Sequence, residues 1–100
     1  MRILITHQAK GRLESIYEYY LTLGYRRYGR QVQATILKKT LLLKDFPFMG
    51  QEEETLQALG LNHRYLIEGH YKIIYRVENE VIYIIDIFDT RQDPDKILED

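Results

Sequence analysis

Arg64, Lys72, Arg76 and Arg91 are the residues whose type and spacing suit recognition chemistry, because each lies in or just beyond a β-forming run from His63 to Pro94. Three stretches rich in Ile, Val and Tyr are separated there by Glu68-Gly69-His70 and Glu78-Asn79-Glu80, the pattern of consecutive hairpins. Three-residue turns, with Gly69 and Asn79 at positive φ, would set Ile67 opposite Tyr71, Tyr75 opposite Tyr83 and Lys72 opposite Asp86. One face then carries Tyr65, Ile67, Tyr71, Ile73, Tyr75, Val77, Val81, Tyr83, Ile85 and Ile87 as the core. The other carries Arg64, Leu66, Lys72, Ile74, Arg76, Ile82, Ile84, Asp86 and Phe88, with Arg91 just past it. A two-residue first turn would mix Arg64 with Tyr71 and Tyr75, so the register that segregates cations from rings is preferred. Cations among exposed aliphatics suit a docking surface; the same residues also suit a partly solvated face with ordinary cross-strand ion pairs.

Other candidates point to structure. His7, His63 and His70 lack metal-ligand spacing. Glu52, Glu53 and Glu54 are consecutive, so they cannot all point one way, and a solvated acidic loop accounts for them. Tyr17, Tyr19, Tyr20, Tyr71 and Tyr75 read as packing residues with hydroxyls at the edge. No cysteine is present, which removes thiolate and disulfide chemistry and favours a cytoplasmic home. No apolar run approaches the ~20 residues of a membrane span, and the first ten residues lack the signal-peptide pattern. No cofactor or metal is expected.

The elements that must position these residues follow from pattern. At 45% hydrophobic and 29% charged residues, 1–100 reads as a single globular domain. Arg2 to Ile5 is a short strand, and Thr6 is a suitable N-cap. Ala9, Leu13, Ile16, Tyr17, Tyr20 and Leu21 recur at helical spacing, and Gly24 marks the end of that helix. A second helix runs from about Tyr25 to Lys44, with Val32, Ile36, Leu37, Leu41 and Leu43 buried and a strongly basic outside; Gly29 within it costs about 1 kcal/mol relative to alanine. Pro47 stops it. Gln51 to Asn62 is an acidic connector with a helical turn near Glu54 to Ala58, and Asp93-Pro94 starts a short helix over 95–98. The charge is polarised: residues 1–44 hold nine Lys or Arg against two Glu, residues 45–100 five against thirteen Asp or Glu. That split implies either a basic outer surface or, slightly favoured, a basic helix lying beside acidic loops. The fold class is α+β: an N-terminal strand, an antiparallel helical hairpin, and a three-stranded antiparallel meander in one twisted sheet, with a short C-terminal helix.

This order, with Arg64-Tyr65-Leu66, Gly69-His70-Tyr71-Lys72-Ile73-Ile74-Tyr75 and Phe88-Asp89-Thr90-Arg91-Gln92-Asp93-Pro94, resembles the RelE/ParE superfamily of bacterial toxins. Phe46 to Gly50 is similar to that family's helix-to-sheet connector. The resemblance implies the toxin of a type II toxin–antitoxin module, also known as a plasmid stabilisation system. A cognate antitoxin wraps the toxin, and the pair, not the toxin alone, binds promoter DNA. It implies one of two targets: the ribosome, where RelE-like members cut messenger RNA without a metal, or DNA gyrase, which ParE-like members inhibit. Arg64, Lys72 and Arg91 match the basic positions of the ribonuclease branch. Leu66, however, stands where a second sheet lysine is expected, and no Tyr or His follows Arg91, with Ile97 near the expected tyrosine position. The chain is also slightly acidic, at −1, which weakens attraction to RNA. These departures favour the ParE-like branch and a non-enzymatic binder. The residues expected to meet target or antitoxin are Arg64, Leu66, Lys72, Ile74, Arg76, Asp89 and Arg91. A family member without toxicity, acting as a binding or regulatory partner, is the remaining alternative. Exposed Leu66, Ile74, Ile82 and Ile84 would need a cover: an antitoxin segment, the C-terminal helix or a homodimer partner.

Overall fold

Two tight turns decide which side chains share a face. In the computed structural model, which describes residues 1–93 and Ile97, strands β3 (Arg64–Glu68), β4 (Tyr71–Glu78) and β5 (Val81–Asp89) form the expected antiparallel meander. Both turns hold two residues, however, since Glu68 pairs with Tyr71 and Glu78 with Val81. Asn79 and Glu80 sit at φ of 51° and 61°, and Gly69 at 59°; such turns match the right-handed twist of the flanking strands, which longer loops do not enforce. The expected register is therefore off by one residue. Tyr65 pairs with Ile74, Leu66 with Ile73, and Arg64 with Tyr75, the arrangement that the segregation of charge argued against.

The sheet has five strands in the order β1-β5-β4-β3-β2. Strand β1 (Arg2–Ile5) runs parallel to β5, and β2 (Gln51–Glu52), unforeseen in the acidic connector, caps the other edge. An irregularity opposite Ile74 and Tyr75 inserts Ile85 into β5: Tyr75 pairs with Ile84 and Ile74 with Asp86. This bulge shifts the register by a further residue for the last four residues of the strand, and together with the two-residue turn it sets Lys72 opposite Phe88 instead of Asp86.

Helix α1 (His7–Thr22) begins where Thr6 accepts from the Ala9 N–H at 3.3 Å and ends at Leu23, with Gly24 at φ 84°. Helix α2 (Arg26–Leu41) continues into a 3₁₀ turn over Leu42–Lys44. Leu21, Leu37 and Leu41, expected inside, are exposed, and Thr40 is buried in their stead. The hairpin crosses at Gly29, where a Cβ would stand 3.0 Å from Tyr20 Cβ and 3.3 Å from the Tyr17 ring. The glycine that weakens α2 as a helix is what allows the two helices to touch.

Two apolar clusters sandwich the sheet. Beneath the helices lie Ala9, Leu13, Ile16, Ile36 and Leu43 with Leu66, Tyr71, Ile73, Tyr75, Ile82, Ile84 and Ile87. On the opposite side Leu56, from a 3₁₀ helix over Glu54–Leu59, joins Ile74, Phe88 and Ile97, flanked by Tyr65 and Ile85. Leu66, Ile74, Ile82 and Ile84, expected to be exposed, are all buried. No partner is needed to cover them. Of the expected C-terminal helix over 95–98, only Ile97 lies within the described residues.

Candidate functional site

The four cations do not share one face. Arg64, at the end of β3 and paired with Tyr75, points to the helix side and donates to the carbonyls of Gly50 (2.8 Å) and Phe48 (3.3 Å), its guanidinium 5.5 Å from the Phe48 ring. Lys72 lies on the opposite face, 2.9 Å from Glu53 Oε2 and 4.3 Å over the Tyr65 ring. Arg76 pairs with Glu78 and lies 4.7 Å from the Tyr83 ring. Arg91 follows β5 and is chelated by Asp89, Nε to Oδ1 at 3.0 Å and an amino group to Oδ2 at 2.8 Å. The expectation of one cation-bearing face is therefore wrong: Arg64 and Lys72 stand on opposite sides of the sheet. Along the strands, Arg64 pairs with Tyr75 and Asp89 with Tyr71, four residues or about 13 Å apart. Leu66 and Ile74, being buried, offer nothing to a partner.

What Arg91 and Asp89 do adjoin is a cleft of about 360 Å³ between α1 and the β4–β5 end of the sheet, lined also by Arg12, Ser15, Tyr19, Tyr71 and Gln92. Helical spacing brings Arg12, Ser15 and Tyr19 to one side of α1. Arg12 reaches the wholly buried Asp86, Nε to Oδ1 at 3.0 Å. Hydrogen bonds from Arg91 hold the Asp89 carboxyl below the usual range despite its partial burial, and Asp89 in turn holds the Arg91 guanidinium firmly protonated. Burial, then a hydrogen bond with Tyr20, pushes the Tyr71 phenol up. A phenol so raised stays neutral near pH 7 and is no base there. The cleft thus offers a fixed ion pair, an arginine and phenolic hydroxyls, which can bind carboxylates or amides of a partner.

A second, smaller cavity of about 240 Å³ is lined by Glu52, Glu53, Gln57, Gly60, Asn62 and His63. Burial, then the nearby Arg76, pushes the His63 imidazole down, while Glu53 pulls the other way. Burial alone would raise Glu53, but its bonds with Lys72 and Thr55 outweigh it and leave the carboxyl lowered. Among the described residues no three His, Cys, Asp or Glu side chains are grouped to hold a metal ion. Nor is any helix among them long and apolar enough to cross a membrane.

Sequence reading missed Arg12, Ser15 and Tyr19 because they lie 72 to 79 residues from Arg91 in the chain. A helical i, i+3, i+7 set of polar residues on α1 was the available signal.

Comparison with known proteins bears on all of this. The model of the ParE toxin of the type II toxin–antitoxin system parDE matches residues 3–94. Among solved structures, the chromosomal ParDE toxin–antitoxin system from P. aeruginosa superposes with a TM-score of 0.75 at 21% identity, covering 89% of this chain and 95% of that one. A search of curated proteins gives no match. The similarity runs through both helices and the whole meander, and the chain belongs to the ParE toxin family of type II toxin–antitoxin systems.

Proposed function

We propose that this toxin acts by binding and inhibiting DNA gyrase in the cytoplasm, and that a cognate antitoxin neutralises it by occupying the cleft around Arg91. The observation that carries a binder over a ribonuclease is the dispersal of Arg64, Lys72 and Arg91. Metal-free RNA cleavage needs cations and proton-transfer groups converging within hydrogen-bond reach of one phosphate. Here Arg64 is spent on backbone carbonyls, Lys72 on Glu53 and Arg91 on Asp89. Membership of the ParE family supports the same reading. The ion pair of Arg91 and Asp89, beside exposed Tyr19, suits a polar peptide segment laid against α1.

The test runs purified protein in parallel supercoiling and translation assays. Blocked gyrase supercoiling with undisturbed translation, accompanied in cells by growth arrest and an SOS response, is the expected result. Halted translation with supercoiling untouched would overturn the proposal in favour of ribosome-dependent messenger cleavage.

A further inference from the structure

We infer that the tip of the α1–α2 hairpin is a docking surface for single-stranded DNA. Helix α2 contains Arg26, Arg27, Arg30, Lys38 and Lys39 and no acidic residue; all but the half-buried Lys39 are exposed. Among the described residues no ion pair joins the basic helix to the acidic loops, the arrangement slightly favoured by the charge split. Three acidic groups of the second half pair with cations of their own half, Glu53 with Lys72, Glu78 with Arg76 and Asp89 with Arg91. None of the α2 cations has an ion-pair partner among the described residues. The acidic residues of the hairpin, Glu14 and Glu18, lie on α1.

Arg26, Arg27 and Arg30 fall within five residues, about 6 Å of helix axis. They share that end of the hairpin with Tyr19, Tyr25 and Tyr28, which are 57%, 61% and 53% exposed. Two of these rings, Tyr19 and Tyr28, are held in place. Tyr20 stands edge-on to both Tyr19 and Tyr28, with centroids 5.1 and 4.9 Å apart, and the Arg30 guanidinium lies 4.8 Å from the Tyr17 ring. Concentrated cations with no ion-pair partner among the described residues call for a polyanion, and exposed rings between them call for flat partners. A nucleic-acid strand with unpaired bases supplies both at once, whereas an acidic peptide would satisfy only the arginines. Leu21 and Leu23 are exposed at the same end, so an anionic lipid surface is the competitor. The patch lacks the continuous apolar helix face that interfacial binding requires. The choice of DNA over RNA rests on the proposed gyrase target, which works on DNA.

Fluorescence anisotropy of a labelled, mixed-sequence single-stranded DNA, titrated with the intact chain, tests this directly. The expected affinity falls with salt along a log–log slope of about −2, from three arginines at about 0.7 each. The combined R26A/R27A/R30A variant should bind at least about tenfold more weakly, and Tyr25→Ala about fivefold or more; circular dichroism confirms that both remain folded. Absence of binding, equal or tighter binding of RNA or duplex, or equal competition by polyglutamate or anionic vesicles would each overturn the inference, as would a Tyr25→Ala variant that binds like the wild type. Supercoiling inhibition by a protein that binds no strand removes this surface and leaves the target standing. Strand binding with supercoiling untouched does the reverse.

Discussion

The Lys72→Ala substitution removes the ammonium that sits 2.9 Å from Glu53 Oε2, while the Glu53 side chain is only 2% exposed. Breaking a buried ion pair by deleting one partner costs about 3–5 kcal/mol, because the other charge is left desolvated. Water reaches the lysine, whose side chain is 24% exposed, and the Thr55 N–H still donates to Glu53 Oε1 at 3.2 Å, so we expect about 2 kcal/mol. For a chain of this size that lowers the melting temperature by about 8–16 °C near neutral pH. Lys72 and Thr55 hold the carboxyl below its ordinary 4.5 against the pull of burial. A carboxyl lowered on folding contributes stability that is complete above its unfolded value and disappears as pH falls through the folded one. The gap between wild type and Lys72→Ala should therefore be full at neutral pH and close below about pH 4. Adding Glu53→Gln to Lys72→Ala removes the stranded charge and should recover most of the loss, and with the Glu53→Gln single variant completes a double-mutant cycle. Thermal melts followed by circular dichroism across this pH range read all of it. A neutral-pH loss under about 2 °C, a gap that persists in acid, or a double variant no more stable than Lys72→Ala would refute the reasoning. Growth arrest by the double variant would further show that Lys72 is structural rather than chemical.

The Tyr75 hydroxyl accepts the buried Gly50 N–H at 2.9 Å, so Tyr75→Phe should cost about 1–3 kcal/mol in urea denaturation; a loss below about 0.5 kcal/mol would show that another acceptor serves that N–H. His63 should set an early acid limb. Its buried imidazole is lowered from the ordinary 6.5, so the unfolded chain takes up that proton first and stability begins to fall as pH drops through about 6.5. His63→Asn should remove this limb and leave only the decline from carboxylates such as Glu53 and Asp89, below about pH 4.5; an unchanged profile in the melting temperature would count against it.

Element identity was legible from local pattern. Thr6 and Gly24 bounded α1, Pro47 ended the second helical run, and the β-branched stretches after His63 marked three strands. The glycine–tyrosine–lysine hairpin and its closing segment also carried the family. Facing was not legible. The run Val81 to Phe88 is apolar on both sides apart from Asp86, so a one-residue slip changes little in its hydrophobic pattern, and charge segregation favoured the wrong choice. Two decisions made elsewhere resolve it: two-residue turns whose twist suits the strands, and Leu56 with Ile97 arriving from distant chain to cover Ile74 and Phe88. The candidate cleft depends on the same long-range assembly, since Arg12 and Arg91 meet only when β1, parallel to β5, delivers α1 beside the last strand. Sequence alone determined which elements exist and which family they form, because propensity and capping act over a few residues; tertiary structure alone determined which cations share a surface, because that depends on the register and crossing of elements far apart in the chain.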